Sequence, residues 1–200
     1  AKAGKPPNGA LLGKLLQEKL GFSAFLPGQK SVCLAVMVGK DRLLALPAGS
    51  GKSLCYQLAG LALGGTTLVC SARIAWMEEQ IAQLRERGLT AACIHAERDR
   101  EHLRSACIDY LNGRLQFLFI TPERLKVAGF PPMLAKRKPA LIAIEEAHRI
   151  VPESEDYLPD YDLLREYLPA LRPAPILALT SKATPAVQRK IAALLGLTSK

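Results

Sequence analysis

Six short apolar runs, set between longer segments of helical pattern, constrain this chain more than any other feature. They are RLLAL (42–46), TTLVC (66–70), TAACI (90–94), LQFLFI (115–120), ALIAI (140–144) and PILAL (175–179). Most are nearly continuous in hydrophobicity and do not alternate, which is the pattern of strands covered on both faces. Helix-patterned segments fall at 51–62, 72–87, 98–112, 160–168 and 184–195. Thr184 before Pro185 marks one helix start, and Gly88, Gly113 and Gly196 stand just past three helix ends. Two further amphipathic helices are expected ahead of the first strand, from Ala10 to Leu20 and from Pro27 to Val38. Repeated βα units of this kind predict an α/β fold, three layers in the order α-β-α around a mainly parallel sheet, with right-handed crossovers.

The chain has 200 residues, 49% of them apolar, which is enough to bury a sizeable core. Residues 9–198 are expected to form one domain. Residues 1–8, rich in Lys, Pro and Gly, read as a disordered or linker-like start. No apolar run approaches the roughly 18 residues of a membrane span, and the first residues lack the hydrophobic centre of a signal peptide, so no membrane partner is expected. The five cysteines (Cys33, Cys55, Cys70, Cys93 and Cys107) are odd in number, lie in apolar segments and form no CxxC pair. Reduced, buried thiols in an intracellular compartment follow, cytoplasmic in a bacterium or nuclear in a eukaryote. A net charge of +9 favours a polyanionic partner without bearing on the fold. Its most concentrated piece, KRK at 136–138, reads as a solvated loop.

The chemistry begins after the first strand, in LPAGSGKSLCYQ (46–57). Gly49, Ser50, Gly51, Lys52 and Ser53 are the parts of a P-loop: glycines let backbone N–H groups close around phosphates at the N-terminus of the next helix. Lys52 would reach the β- and γ-phosphates, and Ser53 would place its hydroxyl on magnesium. Leu46 stands where the strict pattern GxxxxGK[ST] has glycine. Farther on, LIAIEEAHRI (141–150) ends an apolar strand in two carboxylates. Alone, that could be the polar end of any buried strand. Behind a P-loop it supplies the second half of an ATP site, with Glu145 at the Mg2+ position and Glu146 at the water-activating position. His148, one turn on, could sense the γ-phosphate or relay to a neighbouring strand end.

The segments GFSAFLPGQ, LPAGSGKSLCYQ, TPERL, EEAH and LALTSKATPAVQRKIAALLGL occur with the spacing of the RecQ family of superfamily 2 DNA helicases. The chain resembles the first RecA-like lobe of such an enzyme from about Leu20 to Leu197. The resemblance implies a lobe that binds and hydrolyses ATP with Mg2+ and works against a second RecA-like lobe. Together the two lobes would translocate 3′ to 5′ and unwind DNA, with single strands and duplex junctions as partners. It implies that Gln29 hydrogen-bonds the adenine edge, that Phe22 packs on the base, and that Glu146 is the catalytic carboxylate of the DEAH box, with His148 its coupling histidine. Thr121 and Arg124 of TPERL would touch DNA phosphate, and Gln80 lies in a segment where DNA-contacting residues occur. Each has a plainer alternative: Phe22 and Phe25 as core, TPERL as a capped turn, Gln80 as a solvated helix position.

Departures from the family pattern fall at its chemistry. Glu145 replaces an aspartate and is one methylene longer, Leu26 replaces an arginine, Ala48 a threonine, and the usual Ser-Pro-Leu reads Ser71-Ala72-Arg73. The aromatic loop that senses single-stranded DNA is here RIVPESEDYLPDY, made acidic by Glu153, Glu155 and Asp156, with Tyr157 and Tyr161 left as candidates for DNA contact. Thr180-Ser181-Lys182 replaces Thr-Ala-Thr; Lys182 could meet DNA phosphate or the acidic loop. These departures motivate an alternative, a diverged lobe that serves as a nucleotide-sensing or DNA-binding scaffold.

Overall fold

The structure is a computed structural model that describes residues 9–198; the expectation for residues 1–8 lies outside the described residues. Six strands form one sheet: β1 (Arg42–Ala45), β2 (Thr67–Cys70), β3 (Ala91–Ile94), β4 (Phe117–Ile120), β5 (Leu141–Ile144) and β6 (Ile176–Thr180). Their spatial order is β1-β6-β5-β2-β4-β3, and each neighbouring pair is parallel. The register sets Leu44 beside Leu179, Val69 beside both Phe119 and Ala143, and Ile144 beside Ala178.

The helices are α1 (Gly9–Glu18), α2 (Gln29–Met37), α3 (Lys52–Leu63), α4 (Ile74–Glu86), α5 (Arg100–Leu111), α6 (Phe130–Lys136), α7 (Asp162–Tyr167) and α8 (Pro185–Leu195). Two apolar clusters, one on each face of the sheet, account for the continuous hydrophobicity of the strands. Val69, Phe117, Phe119, Leu141, Ala143, Leu177 and Leu179 pack with residues of α1 to α4. Their strand neighbours Leu68, Leu118, Ile120, Ile142, Ile144 and Ala178 pack with residues of α5 to α8. Because successive strand side chains point to opposite faces, both positions of each pair must be apolar. α6 alone is not visible in the helical pattern, since FPPMLAK opens on two prolines; both fall in the first turn, where a missing N–H costs nothing. Lys136 ends that helix, and Arg137 and Lys138 follow it exposed.

Since every strand runs the same way, their C-terminal ends share one edge of the sheet and their N-terminal ends the other. The N-terminal edge is tied by Asp41, just ahead of β1. Its carboxylate accepts both Nη atoms of Arg172 (2.7 Å each), the N–H of Ile176 (2.8 Å), and the N–H and hydroxyl of Thr198 (2.7 and 3.0 Å). Burial pushes that carboxyl up, and the guanidinium and N–H donors outweigh it, holding Asp41 below the ordinary aspartate value. The five cysteines are free thiols, four of them buried. Among the described residues no helix is long and apolar enough to cross a membrane.

Candidate active site

At the C-terminal edge, the loops after β1, β2, β5 and β6 enclose an open cleft of about 390 Å³. From the first loop come Ala48, Gly49, Gly51, Lys52 and Ser53; Arg73 and Trp76 come from the start of α4, Glu145 and Glu146 from the end of β5, and Thr180 and Ser181 from the end of β6. This is where an open parallel sheet places a ligand.

The P-loop turn requires glycine at the position just before Lys52. Gly51 has φ +76°, and a Cβ there would lie 2.6 Å from Gln29 Nε2. Gln29, on α2, donates from Nε2 to the Gly51 carbonyl (3.0 Å) and accepts the Leu26 N–H at Oε1 (2.7 Å). The Lys52 ammonium donates to the carbonyls of Leu46 and Pro47, at 2.8 Å each, and the Ser50 hydroxyl turns back to the same Pro47 carbonyl. Burial lowers the Lys52 pKa, against the nearby Glu145 carboxylate.

Glu145 is 9% exposed and accepts one side-chain hydrogen bond, from Ser53 Oγ at 3.1 Å. Burial pushes its pKa up to about 7, with Ser53 and Lys52 opposing the rise and Glu146 adding to it. The extra methylene has therefore not carried this carboxylate away from the P-loop serine. Two hard oxygens, one from the start of α3 and one from the end of β5, converge in the cleft, a donor set suited to Mg2+.

Glu146 has φ +50° and ψ +48°, and it is the one non-glycine residue with positive φ among the described residues. Such a backbone costs on the order of 1–3 kcal/mol and persists where surrounding contacts impose it. One of those contacts is the hydroxyl of Tyr161, which donates to the Glu145 carbonyl (2.9 Å) immediately before the turn. The Glu146 carboxylate lies between two guanidiniums, Arg149 Nε at 2.8 Å and Arg73 Nη1 at 3.7 Å.

His148 sits behind the cleft wall, 1% exposed. Its Nδ1 lies 2.8 Å from Thr180 Oγ1 and its Nε2 3.4 Å from Asp156 Oδ2. A carboxylate can only accept, so the proton of the neutral ring belongs on Nε2, and Nδ1 accepts the threonine hydroxyl. Asp156 also pairs with Lys182 at 2.8 Å. The line Thr180–His148–Asp156–Lys182 joins the cleft to the acidic loop, and Lys182 takes the second of the two partners that the sequence left open for it.

Several candidates are placed differently from the expectation. Tyr161 is fully buried and Thr121 is 1% exposed, so neither presents its side chain to a nucleic acid strand; the sequence cannot show that their loops fold inward. Phe22 is 45% exposed, lies under the Arg87 guanidinium (5.7 Å to the ring centroid) and is not part of the cleft lining. Gln29 is buried and engaged with the P-loop backbone. The Gln80 amide oxygen accepts from Gln57 on α3 (3.4 Å), the Tyr157 hydroxyl donates to Asp162 (2.8 Å), and the Arg124 guanidinium lies 5.7 Å from the Phe130 ring centroid. Trp76 and Arg149 were not singled out from the sequence, and Thr180 stood there only as part of a departing motif. Arg149, three residues after Glu146 on a helical turn, was the most readable of them.

Away from the cleft, Glu78, Cys93 and His95 bring three possible metal-ligand atoms within 4.8 Å of one another. They are already satisfied. Both Glu78 oxygens are held by Arg98, and His95 Nδ1 accepts the Glu97 N–H (3.2 Å), which leaves the ring proton on Nε2, pointing at Glu78 (2.8 Å). Burial pushes Glu78 up, but Arg98 and His95 bring it down to about 2.

The sequence pattern of DEAD/DEAH box helicases matches residues 26–191. The chain is 34% identical over 177 residues to the ATP-dependent DNA helicase RecQ of Haemophilus influenzae, covering 88% of this chain and 29% of that one. It is 34% identical over 179 residues to RecQ of Bacillus subtilis, covering 88% and 30%. The chain thus spans under a third of the length of these curated relatives. Among solved structures it resembles the helicase MrfA (TM-score 0.74, 17% identity, 94% of this chain and 31% of that one). It also resembles the Hef helicase domain of Pyrococcus furiosus (TM-score 0.63, 20% identity, 86% and 36%). Those two likenesses fix the fold as that of a helicase RecA-like domain. With a P-loop, two strand-end carboxylates and this match over most of its length, the chain belongs to the DEAD/DEAH box helicase family, and its sequence relatives are RecQ helicases.

Proposed function

We propose that this chain is the ATP-binding and hydrolysing first lobe of a RecQ-type DNA helicase. The observation that carries the reading is the approach of Ser53 Oγ to Glu145 Oε1, 3.1 Å apart and beside the strained Glu146. Ser53 and Glu145 would hold Mg2+, which when bound neutralises charge on the transferring phosphate. Lys52 exchanges its loop carbonyls for phosphate oxygens. Glu146 orients the attacking water and takes its proton. Thr180, bonded to His148, relays the state of the cleft to Asp156 and Lys182; Gln80, Arg124, Tyr157 and Lys182 remain candidates for DNA. A second RecA-like lobe of the same protein, supplying an arginine, would complete the site and ratchet it 3′ to 5′ along single-stranded DNA to unwind duplex junctions.

The test is magnesium-dependent ATP hydrolysis by the full-length protein, with and without single-stranded DNA. Turnover that DNA stimulates, and that Glu146→Gln lowers by about 10²- to 10⁴-fold, is the expected result. Tight nucleotide binding with no turnover in the unsubstituted protein would sink it and leave a nucleotide-sensing scaffold in its place.

A further inference from the structure

The cleft holds a cation that the P-loop roles do not use. Arg73 is the first residue ahead of α4, its side chain is 53% exposed, and it lines the cleft together with Lys52, Glu145 and Glu146. Its guanidinium carbon lies 5.9 Å from the centroid of the Trp76 ring, which lines the same cleft. Its only ion-pair partner among the described residues is Glu146, at 3.7 Å, beyond hydrogen-bonding distance, while Arg149 already holds the same carboxylate at 2.8 Å.

We propose that Arg73 binds the terminal phosphate and makes this site discriminate a nucleoside triphosphate from a diphosphate. The inference rests on the nucleotide-hydrolase reading above. If Glu146 orients the water that attacks the terminal phosphorus, that phosphate lies beside Glu146. Of the two cations beside Glu146, Arg73 is the one that lines the cleft, so it joins Lys52 within reach of that phosphate, whereas a diphosphate ends short of Arg73. A half-exposed ion pair without a hydrogen bond is worth little and is readily exchanged. A phosphate offers a guanidinium two parallel charge-assisted hydrogen bonds, which is the better bargain. The same exchange unloads one of the two cations from Glu146 and leaves its carboxylate, still positioned by Arg149, free to accept a proton from water. The guanidinium that moves sits against Trp76, the single tryptophan of the chain, so the exchange has its own optical reporter.

The experiment titrates the protein, with magnesium, with ADP and separately with the slowly hydrolysed triphosphate analogue adenylyl imidodiphosphate, reading affinity and Trp76 fluorescence. In the unsubstituted protein the fluorescence change is expected to be larger with the triphosphate. Arg73→Ala is expected to weaken triphosphate binding about tenfold or more, the effect of one lost charge-assisted contact, with ADP affinity unchanged. The triphosphate-specific part of the Trp76 signal should vanish with it, and Arg73→Lys should keep part of both. Unchanged ADP affinity also shows that the substituted protein is folded. A triphosphate-to-diphosphate affinity ratio that is the same with and without Arg73 overturns the inference alone. Failure of the unsubstituted protein to bind either nucleotide overturns the hydrolase reading and the inference together.

Discussion

Two buried carboxylates stand at opposite edges of the same sheet and are treated in opposite ways. Asp41, at the N-terminal edge, is 2% exposed and accepts five hydrogen bonds from its own chain. Glu145, at the C-terminal edge, is 9% exposed and accepts one, from Ser53. Burial opposes the charge of both, but only Asp41 has donors enough to keep it. Asp41 therefore titrates below its ordinary value, while Glu145 is pushed up to about 7. A carboxylate saturated by its own protein is a fastening. One that is buried and left short of donors retains coordination capacity for something the chain does not itself contain. The strained backbone falls on the same side, at Glu146, and the N-terminal edge has nothing like it among the described residues.

The sharpest way to break this comparison is at Asp41. Its removal leaves Arg172 without its carboxylate partner and three donors of Ile176 and Thr198 unpaired. Asp41→Ala should thus lower the unfolding free energy by about 3–5 kcal/mol, read from the urea midpoint. A loss below about 1 kcal/mol would show that the network is dispensable. Its pH dependence has a definite sign. The folded-state pKa of Asp41 is depressed below the ordinary aspartate value of 3.8, so its contribution is fully present above that value and is lost as pH falls through the lower, folded pKa. Glu78, depressed from 4.5 to about 2 by Arg98 and His95, acts in the same direction. Acid denaturation of Asp41→Asn should be correspondingly flatter below about pH 4 than that of the unsubstituted protein; superimposable acid limbs would assign the destabilisation to Glu78 and other groups.

Asp41 also marks the boundary of what the sequence discloses. The six strands and seven of the eight helices are legible because covered strands and amphipathic helices write their burial into local composition, and α6 escapes because its prolines mask it. The P-loop and the two glutamates are legible because phosphate and magnesium chemistry demands particular residues at particular spacings. Partners brought together by the fold are not. Asp41 meets Arg172, 131 residues away, and Gln29 meets the Gly51 carbonyl, 22 residues away. Nothing around Tyr161 distinguishes an aromatic ring that stacks on a nucleic acid base from one whose hydroxyl is spent on a buried carbonyl.

At the other edge the expected effect is smaller on the fold and falls on the chemistry. Glu145→Gln keeps an oxygen for the Ser53 hydroxyl and removes a charge that burial disfavours. Its unfolding free energy should change by less than about 1 kcal/mol or rise. Magnesium-dependent hydrolysis should fall by at least the 10- to 100-fold typical of disturbing a metal site's supporting groups. A stability loss as large as that of Asp41→Ala, with turnover intact, would reverse the roles assigned to the two edges.

The finest test concerns Tyr161, whose side chain ties the acidic loop to the backbone of the under-satisfied carboxylate. Its hydroxyl donates to the Glu145 carbonyl, and its ring is fully buried. Tyr161→Phe keeps the packing and removes one buried hydrogen bond, a cost of about 0.5–1.5 kcal/mol in unfolding free energy. Single-stranded DNA affinity should be unchanged, because the ring has no exposed face on which a base could stack. The freed carbonyl lies immediately ahead of the φ +50° turn at Glu146, so a modest fall in turnover should accompany the stability loss, without a change in nucleotide affinity. A fall in DNA affinity with turnover and stability untouched would instead return Tyr161 to the surface role that its position in the loop first indicated.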